Sequence, residues 1–227
     1  MAALVPLRPK LLSCRLLEQI EPTLGRALGC HPRHVSVGLV TCDQDDALYV
    51  ALDHATKFAD VDVVYAKSFY AGSAHASGPL SGEILGALAG PNPDEVKEAL
   101  WALREAVTSK IHFVTLEGPG APAFFPHVIE ETGRYLAPLA GVPVGSPLAY
   151  LIAPPTEALV GLDAALKAAD VKLLKFFGPP TETNFAGGYL GGAVADVQAA
   201  AEAFTDAVSS VVRSPQAGLV RPERERR

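Results

Sequence analysis

The sequence predicts an α+β protein built from two similar modules in tandem, and three observations predict it. Residues 53–61 (DHATKFADV) recur as residues 163–171 (DAALKAADV), identical at six of nine positions with an offset of 110. Residues 95–107 (EVKEALWALREAV) recur as 196–208 (DVQAAAEAFTDAV) at an offset of 101, keeping Val96, Ala99, Ala102, Ala106 and Val107 as Val197, Ala200, Ala203, Ala207 and Val208. A shorter echo, TLGRAL (23–28) against ETGRYL (131–136), precedes both. Two Ala-rich helices can match by chance; three blocks in one order point to duplication. The change of offset implies a connection about nine residues shorter in the second copy.

Each copy follows the same order of elements. A helix over 14–28, or over 125–137, leads into a short apolar strand, SVGLVT (36–41) or PLAYLI (147–152). An Ala-rich helix follows, 47–59 or 157–169, because apolar residues recur at helical spacing there. Two strand-like runs come next. They are VDVVYAKSFY (61–70) and SGEILGALAG (81–90) in the first copy, VKLLKFF (171–177) and NFAGGYLGG (184–192) in the second. A second helix closes each copy, 93–108 and 194–212, and IHFVTL (111–116) is a further strand at the join. Gly90-Pro91-Asn92-Pro93 followed by Asp94 and Glu95 is a strong helix start. Each unit is therefore a small antiparallel or mixed sheet of ferredoxin-like size with helices on one side. The expected boundaries are 1–110 and 111–227, with a flexible tail from about 214. No linker of flexible composition separates the copies, so they are expected to pack as a rigid pair.

Composition narrows the function. Of the 227 residues, 49% are hydrophobic and 19% charged, and mean hydropathy is +0.22. That is unusually apolar for a lone soluble chain and points to extensive association with other chains. The net charge of −6 gives no support for nucleic-acid binding. The arginines at 221, 224, 226 and 227 are diluted by Glu223 and Glu225 and read as a solvated tail. Three cysteines (Cys14, Cys30, Cys42) without CxxC spacing argue against a disulfide framework or a zinc site and fit a reducing cytosol. Neither a secretion signal nor a membrane-spanning run is recognisable. The six histidines lack HxH or HExxH spacing, and GxSxG, P-loop and GxGxxG motifs are absent. No catalytic residue, metal or cofactor is expected, and the chain reads as something other than an enzyme.

The two nonapeptides resemble the helix-to-strand segment of the bacterial microcompartment (BMC) shell domain. The likeness extends over SVGLVTCDQDD (36–46), ATKFADVDVVYAKSFYAGSAH (55–75), AGPNP (89–93), the long run 146–173, PPTETNF (179–185) and AFTDAV (203–208). In that order and spacing the chain is similar to the EutL-type, tandem-domain shell proteins of ethanolamine utilisation, from about residue 4 to 212. The resemblance implies two circularly permuted BMC domains per chain and a homotrimeric, pseudohexameric tile that assembles with other shell proteins. It also implies a gated central pore for the passage of a metabolite or cofactor, and no enzymatic turnover. It leaves without a role Trp101, the Gly/Pro-interrupted segment 115–125 with Phe124 and Phe125, and the tail 221–227.

The same resemblance carries roles to individual residues. Lys57 and Lys167 fall at the tile-edge lysine position; each, taken singly, would read as an ordinary exposed helix lysine. Ethanolamine contacts fall on Asp45, Asp46, Glu83, Phe113, Thr183 and Phe185. An ammonium ligand needs carboxylates for its charge, acceptors for its N–H donors and an apolar wall, and these six side chains supply them. Asp45 and Asp46 can equally stabilise a helix start. The connections 68–82 and 178–184, rich in Gly and Pro, are the candidate pore loops, with ordinary surface loops as the plain reading. Two other functions stay open at this point: a trimeric sensor that binds ethanolamine without tiling, and an enzyme acting on small amines.

Overall fold

The computed structural model describes residues 3–69 and 78–217. Two four-stranded antiparallel sheets dominate it, and their orders are the same. The first is β2 (Leu11–Leu17), β3 (Ser36–Cys42), β5 (Ile84–Gly90) and β4 (Asp62–Ser68), side by side in that order. The second is β7 (Phe125–Ile129), β8 (Leu148–Ala153), β10 (Ala186–Gly191) and β9 (Lys172–Phe177). Every strand thus has its counterpart at the same place in the other sheet, and the duplication read from the sequence is a duplication of topology. A two-stranded ribbon, β1 (Leu4–Leu7) with β6 (Phe113–Leu116), ties the start of the chain to the segment between the sheets.

The helices also repeat. Helices α2 (Asp45–Ala55) and α3 (Pro93–Ser109) cover one face of the first sheet; α5 (Pro155–Ala168) and α6 (Val194–Arg213) cover one face of the second. Small residues permit the close approach: a Cβ on Gly38 would meet Val96 and Leu100 at 2.9 Å, and one on Gly161 would meet the Phe204 ring at 2.6 Å. Asn92 caps α3 by accepting from the Asp94 and Glu95 N–H groups, as the Pro-Asn-Pro turn predicts.

Three expectations are corrected. Residues 14–28 and 125–137 are not helices: each begins with a strand and ends in a short helix, α1 (Pro22–Ala27) or α4 (Leu136–Ala140). β3 and β8 are central strands, and each needs a hydrogen-bonding partner on its outer side, which β2 and β7 provide. Pro126 is incompatible with a helix interior but is tolerated on an edge strand. The echo TLGRAL/ETGRYL is a chance match. Gly29 and Gly141, both with positive φ, close α1 and α4 and set a correspondence that pairs Thr23 with Tyr135, not with Glu131. β1 had no sequence signal of its own. The unequal connections lie between β4 and β5 (69–83) and between β9 and β10 (178–185).

The two modules share one core. Val50 from α2, Ile129 from β7, Tyr150 and Ile152 from β8 and Tyr189 from β10 belong to a single buried cluster. The second sheet is therefore covered twice, by α5 and α6 on one face and by α2 of the first module on the other. Polar bonds fix this joint: Asp53 accepts from the backbone N–H of Gly133 (2.6 Å), Tyr135 (3.1 Å) and Leu136 (2.6 Å). Thr56 Oγ1 accepts from Arg134 N at 2.9 Å, and the Arg134 guanidinium donates to the carbonyls of Ala59 and Val61. No helix among the described residues is long and apolar enough to cross a membrane.

Candidate functional site

The joint opens at the N-terminus of α2 into two adjoining cavities. Asp45 and Asp46 occupy the first turn of α2, where partial positive charge from the free N–H groups favours carboxylates. Neither is the cap; Gln44 holds that place and makes no capping bond. Ser68 Oγ at the end of β4 donates to Asp45 Oδ2 at 2.7 Å, and Ser68 N donates to the Tyr49 hydroxyl at 3.0 Å. The Tyr150 hydroxyl donates to Asp46 Oδ1 across the joint.

The outer cavity, about 340 Å³, is lined by Leu7, Asp43, Gln44, Asp45, Glu83, Phe113, Ala123, Thr183 and Phe185. Glu83 reaches it because its backbone is pinned on both sides, N–H to the Cys42 carbonyl (2.7 Å) and carbonyl to the Phe69 N–H (2.9 Å). Gln44 donates through Nε2 to the Leu7 carbonyl at 2.9 Å, leaving its buried Oε1 without a donor among the described residues. Phe113 and Phe185 face each other at 6.2 Å between ring centroids. A turn in which Asn184 takes φ of 60° and donates to the Thr181 carbonyl brings Thr183 and Phe185 here from the second module.

The inner cavity, about 290 Å³, lies behind Asp45, Thr183 and Phe185, which border both. Asp46, Tyr49, Tyr135, Tyr150, Lys175, Phe177, Glu182 and Tyr189 complete its main lining. Sequence reading passed over these four tyrosines. The available signal was a hydroxyl-bearing ring at the centre of two otherwise small or apolar strands, PLAYLIA and AGGYLG.

The carboxylates here are crowded and dry. Burial first, then the neighbouring Asp45, holds Asp46 well above the ordinary carboxylate range. Asp45 is raised by burial. Glu83 is pushed up to about 7, chiefly by burial and then by Asp45 and Asp43. Such surroundings favour the neutral form, and a cation placed against the carboxylate favours the charged one.

All six positions to which ethanolamine contacts were carried fall on these two cavities. Asp45, Thr183 and Phe185 border both, Asp46 only the inner, Glu83 and Phe113 only the outer. Lys57 and Lys167 lie elsewhere, at the C-terminal ends of α2 and α5. Lys57 Nζ donates to the Glu131 carbonyl at 2.8 Å, and Lys167 pairs with Asp163 at 2.6 Å in the open. Most of the first candidate pore loop, residues 70–77, lies outside the described residues, as does the tail 218–227.

Comparison with known proteins bears on what such a joint belongs to. The profile of the BMC domain matches residues 36–117. The bacterial microcompartment shell protein EutL of Clostridium perfringens is 47% identical over 92% of this chain and 96% of its own length. The protein of that name from Salmonella typhimurium is 44% identical over 95% of this chain and 98% of its own. A crystal structure of EutL from Clostridium perfringens superposes with a TM-score of 0.92 at 46% identity, covering 96% of this chain and 99% of that one.

Proposed function

The chain belongs to the family of EutL bacterial microcompartment shell proteins, and from that premise we propose that it is a structural tile of an ethanolamine-utilisation microcompartment. In this reading residues 1–110 and 111–227 are its two BMC units. Three copies close into a flat pseudohexameric ring around a central pore bordered by the connections 68–82 and 178–184, and the tile binds ethanolamine rather than transforming it.

The observation that carries the ring is an unfilled copy of the joint. On α2, the side chains that meet the second module are Tyr49, Val50, Asp53 and Thr56. Their counterparts on α5, by the offset of the repeat, are Leu159, Val160, Asp163 and Leu166. Leu159, Val160 and Leu166 are 53%, 44% and 37% exposed. The matching sheet face is also open: Tyr150 and Ile152 are buried under α2, whereas their counterparts Leu39 and Thr41 are only half-buried. A helix face without a sheet and a sheet face without a helix, on opposite sides of one chain, make a head-to-tail contact that repeats until the ring closes.

Ethanolamine suits the outer cavity. Its ammonium needs acceptors and negative charge; Asp45, Glu83, Asp43 and the unpaired Gln44 Oε1 offer both, against the walls of Phe113 and Phe185. Glu83 makes the affinity depend on pH. The folded protein holds the Glu83 proton up to about 7, against 4.5 ordinarily, so the charged form is the disfavoured one and costs stability as pH rises through that window. The ligand's ammonium stays charged throughout. Ethanolamine affinity is therefore expected to rise several-fold between about pH 6 and pH 8, and Glu83→Gln to flatten that rise; titration calorimetry across the range checks both.

Tiling is tested at Lys57 and Lys167. Replacing both with Asp is expected to leave trimers intact by light scattering and to abolish extended sheets in electron micrographs. Trimers that bind ethanolamine and never form sheets, even unmodified, would mark a sensor instead, and multiple turnover of ethanolamine would mark an enzyme.

A further inference from the structure

Asp53 and Asp163 hold one position of the repeat, and the corners they face can be compared residue by residue. Strand pairing sets the correspondence. Arg15 lies beside Leu39 as His127 lies beside Tyr150, and Ile20 N donates to the Val35 carbonyl as Thr132 N donates to that of Ser146. The same offset matches Glu21, Pro22, Thr23 and Leu24 with Gly133, Arg134, Tyr135 and Leu136.

Within the chain, the corner at α4 is shaped to admit Asp53. The carboxylate accepts from the Gly133, Tyr135 and Leu136 N–H groups, and the backbones come so close that residue 133 has no room for a side chain. A Cβ there would meet the Asp53 carbonyl oxygen at 2.4 Å and Thr56 Oγ1 at 2.5 Å. The corner at α1 differs at that very residue. Glu21 replaces the glycine, and its own carboxylate accepts from Thr23 N at 2.7 Å and Leu24 N at 2.9 Å. These are the counterparts of two of the three N–H groups that Asp53 holds. The adjoining polar bond has vanished from both sides at once. Arg134 N donates to Thr56 Oγ1, whereas Pro22 has no N–H and Leu166 no acceptor. Apolar surface remains: Leu24 is 49% exposed and Leu166 37%, while Leu136, the counterpart of Leu24, is fully buried under α2.

We propose that Glu21 is a placeholder that keeps Asp163 of the neighbouring copy out of the α1 corner. This rests on the reading that α5 of one copy meets the open sheet of the next. The Glu21 carboxylate occupies the N–H groups, its Cβ occupies the space, and Asp163 stays paired with Lys167. The seam between copies is thereby apolar and reversible, whereas the joint within each chain is fastened by polar bonds. Copies can part without the modules parting, because one side chain excludes the tighter contact.

The test follows dissociation of the full-length trimer on dilution, by light scattering, with circular dichroism to confirm folding. Glu21→Gly opens the corner as Gly133 does and is expected to lower the dissociation midpoint at least tenfold. Asp163→Ala in the same chain should cancel that gain. Glu21→Ala loses the same cap but keeps the obstructing Cβ, so it should stay within threefold of the parent. The proposal is overturned if Glu21→Gly fails to tighten the trimer, if Glu21→Ala tightens it as much, or if the gain survives Asp163→Ala. Should neither the parent nor Glu21→Gly associate at any concentration, the ring itself is refuted and the placeholder with it.

Discussion

In the unassociated chain, Asp53→Ala is expected to lower the melting temperature by about 10 °C, while Asp163→Ala, at the matching position of the second copy, shifts it by about 1 °C or less. The contrast follows from where two aspartates of one repeat have come to lie. Asp53 is 1% exposed and accepts three backbone N–H groups at the entry to α4. Hydrogen bonds to a charged acceptor contribute about 1.5–3 kcal/mol each, and removing the acceptor leaves three donors facing a cavity; allowing for non-additivity, the loss is about 3–5 kcal/mol. In a chain of this size each kcal/mol moves the midpoint by roughly 2–4 °C. Asp163 is open to solvent and pairs only with Lys167 one turn on, an exposed contact worth about 0.3–0.5 kcal/mol. Because the Asp53 bonds hold one module against the other, its loss should also separate a single unfolding transition into two. Scanning calorimetry of both variants reads the midpoint and the shape. Equal shifts for the two in the unassociated chain would mean that the joint within it does not depend on this carboxylate.

The pair also shows how far the sequence could be read. Recurrence of the nonapeptide placed Asp53 and Asp163 at one position of one motif, and the paired strand orders bear that out. Their different surroundings were invisible, because the partners of Asp53 lie some eighty residues away and no local pattern encodes them. The misread leading segments have a similar origin. LLSCRLL satisfies helical spacing as well as strand spacing, and only the open edge of β3 decides between them. Residues paired by long-range topology were likewise beyond reach: β1 on β6, and the hydroxyl of Tyr150 on Asp46, one hundred and four residues apart. The chemistry of the site was more legible than its geometry. The resemblance singled out Asp45, Asp46 and Glu83, but their division between two cavities depends on how the turn at Asn184 carries Thr183 and Phe185 across the joint.

Val160→Asp is expected to convert the proposed trimer to monomers with the fold of each chain intact. Val160 is 44% exposed on α5, so an aspartate there meets water in the free chain and costs the fold little. Its counterpart Val50 is 4% exposed within the joint between modules, which is the environment the aspartate would have to enter on association. Placing an unpaired carboxylate in such a seam costs several kcal/mol, and ~3 kcal/mol already weakens each contact more than a hundredfold. A ring multiplies the penalty, since every contact around it is the same contact and none can be spared. Trp101 provides the control. It is 74% exposed on α3 and is the largest apolar side chain so presented, yet its counterpart in the second copy is Glu202, so the repeated joint does not use that position. Trp101→Glu should therefore leave the proposed trimer whole. Light scattering coupled to size exclusion separates the outcomes, with circular dichroism to confirm folding. A trimeric Val160→Asp protein would show that the exposed face of α5 is not where one copy meets the next.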